Sequence, residues 1–382
     1  MKPDVYLIEI PDNSIEKRGS SLIKLLEEID PFKDYKEDEF IPIKITIGDS
    51  QCTYNIRPEL VKIIVSRIKE KHAKPFLFDT NVIYKGERQN AVQHLTLAQN
   101  KGFSHSKIGC PFIIADGLLG QDGKICEINS DYIKKIKIPS FIGYIDNLLA
   151  LSHATGHILS GYAGAIKNVS MGMVSKPTKQ AQHSSIKPSI IEKKCASCGC
   201  CIQICPVSAI SFRPIKAAID QSKCIGCGEC LCACKFDAIF INWSEGHSIF
   251  AKRMVDTSQF ILSKFKNKFF ITFAFDITKE CDCISTKDEK VFTKDIGILA
   301  SSDPLALDKA TVDLINGAHP GTGFLGRNTE RPLPMAAVLW PRMYKNDDLF
   351  EKENLHNTYK TIFEYGYKKG LGNLEYKLVR IN

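Results

Sequence analysis

The sequence predicts an α/β fold with a mostly parallel sheet, interrupted by a second, small domain. At both ends of the chain, short runs of β-branched and aromatic residues alternate with helical apolar spacing, as expected when helices cover the faces of a parallel sheet. Between these ends lies a cysteine-rich block. We therefore expect a main domain formed by residues 1–185 and 246–382, and an inserted domain formed by residues 186–245.

The predicted elements of the main domain can be placed in order along the chain. Apolar runs of strand length occur at residues 41–47, 75–79, 112–115 and 269–275, and helical spacing occurs at residues 58–71, 90–102 and 304–317. The last helix has a clear start, because Asp303 suits the N-cap and Pro304 suits the first helical position. Residues 170–194 are rich in Ser, Lys, Gln and Pro, which predicts a linker or mobile loop.

Composition and charge exclude several classes of protein. Hydrophobic residues make up 44% of the 382 residues, which is ordinary for a globular chain with a large core. No run approaches the roughly 18 apolar residues of a membrane span, and acidic residues stand where a signal peptide would be apolar. The net charge of +8 comes from lysines spread along the chain, without the basic stripe that nucleic-acid binding needs. We expect a cytoplasmic protein that binds neither membranes nor nucleic acid.

The cysteine block contains an internal repeat. The first run is Cys195-x2-Cys198-x2-Cys201-x3-Cys205-Pro206, and the second, 29 residues later, is Cys224-x2-Cys227-x2-Cys230-x3-Cys234. Bacterial ferredoxins with two [4Fe-4S] clusters have this spacing, and the fourth cysteine of each run binds the cluster of the other run. We therefore predict one cluster on Cys195, Cys198, Cys201 and Cys234, and another on Cys224, Cys227, Cys230 and Cys205. The inserted domain is then a small α+β dicluster ferredoxin domain.

Zinc is the competing interpretation of the cysteine block, because C-x2-C pairs also build zinc sites. A zinc site has no use for a third and a fourth cysteine in each run, so the spacing favours iron–sulfur clusters. Cys200 and Cys232 stand between the ligands and are predicted to be small buried hydrophobic residues. Lys235 stands where such ferredoxins usually have a second proline, which leaves the ligands intact.

Several segments outside the cysteine block together resemble a known family. They are Ile43-Lys44-Ile45-x-Ile47-Gly48, Arg57-Pro58, Asp79-Thr80-Asn81-x2-Tyr84-x-Gly86-x-Arg88, Asp116-Gly117, Gly164-Ala165-Ile166-Lys167-Asn168-x2-Met171-Gly172, Cys281-Asp282-Cys283 and Asp295-Ile296-Gly297-Ile298-Leu299-Ala300-Ser301-x-Asp303-Pro304-x-Ala306-Leu307-Asp308. With these segments the chain resembles a prokaryotic iron–sulfur family whose main domain is called domain of unknown function number 362. The resemblance implies membership of that family and brings no particular reaction with it.

A second resemblance concerns the segment His157-x3-Gly161-x2-Gly164-x2-Lys167 and the later His183. This region is similar to the part of lactate-racemase-type enzymes that holds a nickel-pincer nucleotide. The resemblance implies that Lys167 binds the cofactor covalently, that His183 is a nickel ligand and that His157 transfers a proton. A simpler alternative stays open, in which Gly161, Gly164 and Lys167 form a loop that binds an anion or a nucleotide.

Two further candidate sites follow predicted strands, where ligands of α/β sheets bind. Asp79, Tyr84 and Arg88 follow the strand at 75–79, and Arg88 could clamp a carboxylate or phosphate, with a surface ion pair as the alternative. Asp116 follows the strand at 112–115 and stands where the racemase-type enzymes have a second catalytic histidine. An ordinary turn is the alternative for Asp116.

The remaining candidates receive structural interpretations. Cys281 and Cys283 are interpreted as structural thiols, with a redox pair or a metal contact as alternatives. His94 is predicted to be a packing residue of its helix. The segment Gly321-x-Gly323-x2-Gly326 matches a dinucleotide fingerprint, but it follows a helix instead of a strand and is discounted.

Taken together, these features favour a cytoplasmic iron–sulfur oxidoreductase. Its clusters would relay electrons from a soluble partner such as a ferredoxin to a small molecule, or to a nucleotide-derived cofactor, near Lys167 and Asp116. Two alternatives remain: an isomerase of the nickel-pincer kind, and an electron carrier or assembly partner without enzymatic activity.

Overall fold

Most of the chain is described by a computed structural model. It describes residues 2–10, 14–84, 86–157, 159–183, 188–224, 230, 233–236, 238–240, 247–283, 290–291, 294–316 and 358–382. Cys227, Cys232 and the glycine segment at 321–326 lie outside the described residues. In the part that is described, no helix has the length and apolar character needed to cross a membrane.

Strands and helices alternate through the first half of the chain. The strands are β1 (Asp4–Glu9), β2 (Phe40–Lys44), β3 (Lys74–Asp79), β4 (Phe112–Ile114), β5 (Lys124–Glu127), β6 (Lys135–Ile138), β7 (Asn147–His153), β8 (Thr155–His157), β9 (Gly161–Ala163), β10 (Ser189–Ile190), β11 (Ile210–Phe212), β12 (Ala217–Ile219), β13 (Ile239–Phe240), β14 (Asn267–Ala274), β15 (Gly297–Ser301) and β16 (Lys377–Ile381). The helices are α1 (Ile15–Ile29), α2 (Pro58–Glu70), α3 (Ala91–Asn100), α4 (His105–Ile108), α5 (Ala165–Gly172), α6 (Lys176–His183), α7 (Cys200–Ile204), α8 (His247–Leu262), α9 (Pro304–Ile315) and α10 (Thr358–Lys368).

The main sheet has eight strands in the order β16-β1-β15-β14-β7-β2-β3-β4. Every neighbouring pair is parallel except the two pairs that involve β15, so β15 runs against the other seven strands. The prediction of a mostly parallel sheet is confirmed. Because β2, β3, β4, β7 and β14 run in one direction, their carboxyl ends meet at one edge of the sheet, where ligands of α/β proteins bind.

Both faces of the main sheet are covered by helices, which explains its continuous apolar strands. In β7, Leu148 and Ala150 pack into one core together with residues of α5, α8, α9 and α10. Leu149 and Leu151 pack into the other core, with residues of α1 and α2. Successive side chains of a strand point to opposite faces, so a strand buried on both sides must be apolar at every position.

The predicted elements are found with shifted ends. The strand predicted at 41–47 ends at Lys44, and the helix predicted at 304–317 spans Pro304–Ile315 with Asp303 as its N-cap. The prediction of a linker at 170–194 is wrong, because α6 and the end of α5 lie there. Two polar side chains of α6 find partners inside the protein: Gln182 donates to the carbonyl of Ser170 at 2.8 Å, and Lys179 donates to the carbonyl of Val174 at 2.6 Å.

The cysteine-rich segment contains two small antiparallel sheets of its own. Strands β10 and β13 pair near the two ends of the segment, and β11 pairs with β12 between them. Ile210, Ala217 and Ile239 of these strands pack against Cys201 and Cys230 in a small apolar cluster. Residues 189–190 and 239–240 of the segment are therefore neighbours.

Candidate functional site

A cavity of about 570 Å³ lies at the carboxyl edge of the main sheet. Its walls come from the residues after β3, from the end of β7 and the β8–β9 hairpin, from α5 and α6, and from the turn at residues 281–283. The predicted site residues Asp79, Arg88, His157, Gly164, Lys167 and His183 all line it. The cavity thus brings together residues that lie as far apart as 79 and 283 in the sequence.

Asp79 is the centre of a buried group of charges. Its carboxylate lies 3.0 Å from Nζ of Lys44, 3.9 Å from Arg88 and 3.7 Å from Nε2 of His94. Burial alone would raise the pKa of Asp79, but Lys44, His94 and Arg88 outweigh it and hold the pKa below its usual value. Asp79 is therefore ionised, and its second carboxylate oxygen has no hydrogen-bond partner among the described residues.

Lys44 is fully buried and was missed by the sequence analysis. Its amine donates to Asn168 Oδ1 at 2.8 Å and to the carbonyl of Ile45 at 2.9 Å, besides its ion pair with Asp79. Gly172 makes room for it, because a Cβ atom there would lie 2.3 Å from the Lys44 side chain. A lysine between two isoleucines of a buried strand was the signal that could have revealed it.

Arg88 is buried, so the alternative of a surface ion pair is wrong. Its guanidinium donates to the hydroxyl of Tyr84 at 2.8 Å and to the carbonyl of Cys283 at 3.5 Å. His94 is buried behind Asp79 beside the ring of Phe112, but neither of its ring nitrogens has a hydrogen-bond partner among the described residues; burial lowers its pKa to about 3. Arg88 therefore stays charged at every pH at which the protein is folded, whereas His94 is neutral.

Lys167 lies on α5 and is half-buried in the cavity wall. Its amine lies 3.7 Å from Sγ of Cys283. Burial is the main cause that lowers its pKa to about 7; Asp282 opposes this shift, and Arg88 and Lys44 contribute to it. Near neutral pH the amine is thus divided between a cationic donor and a neutral nucleophile.

His157 lies at the end of β8 and is held by its own hairpin. Its Nδ1 accepts the backbone N–H of Ser160 at 3.0 Å and that of Leu159 at 3.3 Å. Burial lowers its pKa well below the usual value, and Lys167 adds to this effect, so the ring is neutral with its proton on Nε2.

Phe250 of α8 connects the two predicted site histidines. Its ring stacks on His157 at a centroid distance of 6.3 Å and on His183 at 4.9 Å. Burial lowers the pKa of His183 to about 3, so this ring is neutral as well. Two neutral imidazoles and one lysine of low pKa therefore share this part of the wall.

His153 and Asp282 form an ion pair that the sequence analysis missed. His153 Nδ1 lies 2.8 Å from the carboxylate of Asp282, and Nε2 lies 2.9 Å from the carbonyl of Phe275. A carbonyl and a carboxylate are both acceptors, so both ring nitrogens donate and the imidazole is charged. Burial works against that charge, but Asp282 outweighs it and raises the pKa of His153.

Cys281 and Cys283 also line the cavity, and they are joined as a disulfide. The interpretation as separate structural thiols is therefore wrong. The two residues lie in a turn after β14, and the turn brings their Cα atoms to 5.3 Å, within the usual range for a disulfide.

The start of α5 differs from the predicted anion-binding loop. The carboxylate of Asp308 accepts the N–H groups of Ala165 at 2.7 Å and Ile166 at 2.9 Å, so these amides are not free for a ligand. Gly164 permits this contact, because a Cβ atom there would lie 2.3 Å from the Asp308 carboxylate. Gly161 turns the hairpin with φ of 74°, and it does not line the cavity. Of the predicted loop, Gly164 and Lys167 line the cavity, and Lys167 is the residue with a side-chain donor.

Asp116 lies behind the cavity wall and does not line it. It is buried, and its Oδ1 accepts the backbone N–H of Asn81 at 2.9 Å and the side-chain amide at 2.8 Å. Burial raises its pKa to about 6, although the nearby Lys179 acts in the opposite direction. Lys179 does line the cavity, and Asp116 favours the charged form of this lysine. Asp116 therefore acts on the cavity through the charge of Lys179.

A second, smaller cavity lies in the cysteine-rich segment. Cys195, Cys198, Cys201 and Cys234 line it, together with Cys200, which is half-buried. The backbone N–H groups of Ala217 and Ser197 lower the pKa of the Cys195 thiol. These four cysteines are the ones assigned to the first cluster.

The fourth cysteines of the two runs have equivalent surroundings. Cys205 Sγ accepts the N–H of Ala209 at 3.2 Å, and Cys234 Sγ accepts the N–H of Ala238 at 3.4 Å. Cys230 packs near Cys205 in the same apolar cluster. Among the described residues, no three His, Cys, Asp or Glu side chains are placed to hold one metal ion. A [4Fe-4S] cube instead spreads its four thiolates over four iron atoms.

The fold and the cavity define an α/β protein with a charged site at the carboxyl edge of its sheet. Residues 41–313 match the family described as a domain of unknown function (DUF362), so the chain belongs to that family.

Two solved structures are similar to the chain at a low level. The lactate racemase apoprotein from Thermoanaerobacterium thermosaccharolyticum has 12% identity over 71% of this chain and 51% of its own, with a TM-score of 0.39. A Thermotoga maritima protein from a structural genomics project has 11% identity over 81% of this chain and 61% of its own, with a TM-score of 0.44. No curated protein matches the chain.

Proposed function

We propose that this chain is an iron–sulfur protein that passes electrons to an anionic small molecule bound in the large cavity. Residues 186–245 would form a ferredoxin-like domain with two [4Fe-4S] clusters. One observation supports this most strongly: the four cysteines that the spacing assigns to one cluster line a single cavity, although Cys234 lies far along the chain from Cys195. Clusters supply one-electron transfer when they are bound.

The surroundings of the sulfur atoms support the same proposal. Backbone N–H groups point at Cys195, Cys205 and Cys234, and hydrogen bonds to cluster sulfurs are one of the means by which proteins set reduction potentials. The second cluster would be held by Cys205, Cys224 and Cys230 together with Cys227, which lies outside the described residues. A soluble partner such as a cytoplasmic ferredoxin would deliver the electrons.

The charges of the large cavity support an anionic ligand. Arg88 and Lys179 contribute positive charge to its wall, and Lys167 adds to it below about pH 7. The carboxylates of Asp79 and Asp282 are already paired with Lys44 and His153. A phosphate or carboxylate of the ligand would bind near Arg88 and Lys167, and the neutral rings of His157 and His183 could exchange protons with it.

Anaerobic purification followed by metal and sulfide analysis tests the proposal. We expect about eight iron atoms per chain, because two sets of four cysteines each hold a four-iron cube. Cys198→Ser should remove about half of the iron, and Cys205→Ser should damage the cluster whose other ligands lie in the second run. Cys126→Ser is the matched control, because Cys126 lies in β5, outside the cysteine-rich segment. One or two zinc ions and no iron after reconstitution would contradict the proposal.

A nickel-pincer isomerase is the second candidate function. Its specific support is that His157, Lys167 and His183 line one cavity, with Phe250 stacked on both histidines. Such a cofactor would bind Lys167 covalently, for which the partly neutral amine is suited. The position of Asp116 outside the lining counts against it. Intact mass under denaturing conditions and nickel analysis of protein from its native source separate the candidates, because only this one requires an adduct and nickel.

A further inference from the structure

The disulfide between Cys281 and Cys283 lies where a reaction at the large cavity could use it. Both residues line the cavity, with Cys281 buried and Cys283 half-buried. The amine of Lys167 lies 3.7 Å from Sγ of Cys283, within reach of an N–H···S hydrogen bond. A cation beside a sulfur atom favours its thiolate form, which is the reactive form of a cysteine.

The turn that carries the disulfide is anchored on its polar side. The backbone N–H of Asp49 donates to the carbonyl of Asp282 at 2.8 Å, and the carboxylate of Asp282 is paired with His153. Arg88 donates to the carbonyl of Cys283 at 3.5 Å. These contacts use the backbone and the side chain of Asp282 and the backbone carbonyl of Cys283, and none of them uses a sulfur atom, so they hold the turn in place whether or not the sulfur atoms are bonded.

A structural role explains this disulfide poorly. A disulfide stabilises a protein mainly by closing a loop of the unfolded chain, and the effect grows with the length of the loop. Here the two cysteines are separated by one residue, so the bond constrains little of the chain. Disulfides that are accessible and easily reduced are typically catalytic or regulatory.

We propose that Cys281 and Cys283 form a redox-active pair that stores two electrons beside the ligand in the large cavity. Reduction breaks the S–S bond: two electrons and two protons give two thiols, or one proton fewer is taken up when Cys283 stays a thiolate against Lys167. The two clusters, each a one-electron carrier, would supply the two electrons. Only this source of electrons rests on the proposed function. With it, the cysteine pair would collect two single electrons and make them available for a two-electron step.

The pair can be followed without interference from the other thirteen cysteines. Trypsin releases residues 280–287 as one peptide, because Lys279 and Lys287 flank the segment, and Cys281 and Cys283 are its only cysteines. The full-length protein is equilibrated anaerobically with mixtures of reduced and oxidised dithiothreitol, quenched with acid and alkylated. Mass spectrometry then gives the fraction of this peptide that carries two alkyl groups.

We expect the peptide to change reversibly from disulfide to dithiol as the ratio of reduced to oxidised dithiothreitol rises. In Lys167→Met the thiolate loses its charged donor, so roughly tenfold more reducing mixtures should be needed. Lys179→Met is the control, since this lysine lines the same cavity but donates to Thr80 and Val174. A peptide that never forms the disulfide, or equal shifts in both variants, would overturn the proposal.

The source of the electrons needs a separate measurement. Iron-loaded protein is reduced with dithionite, freed of dithionite by anaerobic gel filtration, and followed by the visible absorbance of the clusters. We expect the clusters to reoxidise as the peptide becomes alkylatable, and to stay reduced in Cys283→Ser. Clusters that stay reduced in the wild type would overturn the acceptor role and leave the proposed function intact. A chain without iron would overturn the proposed function, while the dithiothreitol titration would still decide whether the pair is redox-active.

Discussion

The cysteine-rich segment and the large cavity encode their sites in different ways. In the segment, the proposed cluster ligands and their spacing are visible within two short runs of sequence. In the cavity, the site is assembled from residues between 44 and 283 that share no local pattern. A local site can be identified from sequence spacing, whereas an assembled site depends on the sheet that brings strand ends together.

The two regions also differ in how closely their sites are tied to the fold. The cysteines pack in a small apolar cluster of the segment, apart from the cores of the main sheet. In the cavity, the buried pair of Lys44 and Asp79 joins the ends of β2 and β3, and Lys44 also contacts Asn168 of α5. Changes in the cavity should therefore affect the stability of the main domain more than changes in the cysteines do.

The largest effect is expected for Lys44→Met. This change leaves the buried carboxylate of Asp79 without its closest cation, and breaking a buried ion pair in this way typically costs about 3–5 kcal/mol of unfolding free energy. Urea denaturation measures the loss. Lys266→Met removes an exposed ion pair with Asp146 and should cost under about 1 kcal/mol. Equal losses in the two variants would show that Lys44 does not balance the buried charge.

Asp308→Ala should have a smaller effect on stability. It leaves the N–H groups of Ala165 and Ile166 buried without an acceptor, which we expect to cost about 2–4 kcal/mol. Asn90→Ala is the control, because Asn90 caps α3 at the surface and should cost about 1 kcal/mol. If Asp308→Ala retains wild-type stability, water or a rearranged loop must satisfy the start of α5.

The fold was predictable to the extent that it depends on apolar periodicity. The apolar runs that form β2, β3, β4 and β14 indicated a parallel sheet, and Asp303-Pro304 indicated the start of α9. The reversed direction of β15 has no counterpart in the sequence pattern, because parallel and antiparallel strands buried on both faces look alike. The polar composition of α6 suggested a linker, since its buried side chains find their partners only in the folded protein.

The candidate site was predictable in part. The glycine-rich segment with His157 and Lys167, and the segment with Asp79 and Arg88, were recognised from the sequence and line the cavity. The pairing of His153 with Asp282 joins residues 129 positions apart, and the contact of Asp308 with α5 joins residues 143 positions apart. No local spacing encodes such contacts, so these roles appear only in the three-dimensional structure.

The smallest effect concerns a single proton on Lys167, and it tests whether the cavity acts as one electrostatic unit. Burial and the nearby Arg88 and Lys44 lower the pKa of this lysine to about 7, so its amine is cationic below that pH and an unprotonated nucleophile above it. The oxidised protein is trace-acetylated at a series of pH values, and the peptide that contains Lys167 is analysed. We expect the acetylation rate of Lys167 to be half-maximal near pH 7, instead of near the usual lysine pKa of about 10.4. Asp282→Asn should move the midpoint to lower pH, because Asp282 favours the ammonium form, and Arg88→Gln should move it to higher pH. A midpoint near that of an ordinary lysine, unmoved by either variant, would mean that water screens the cavity and that Lys167 acts there as a simple cation.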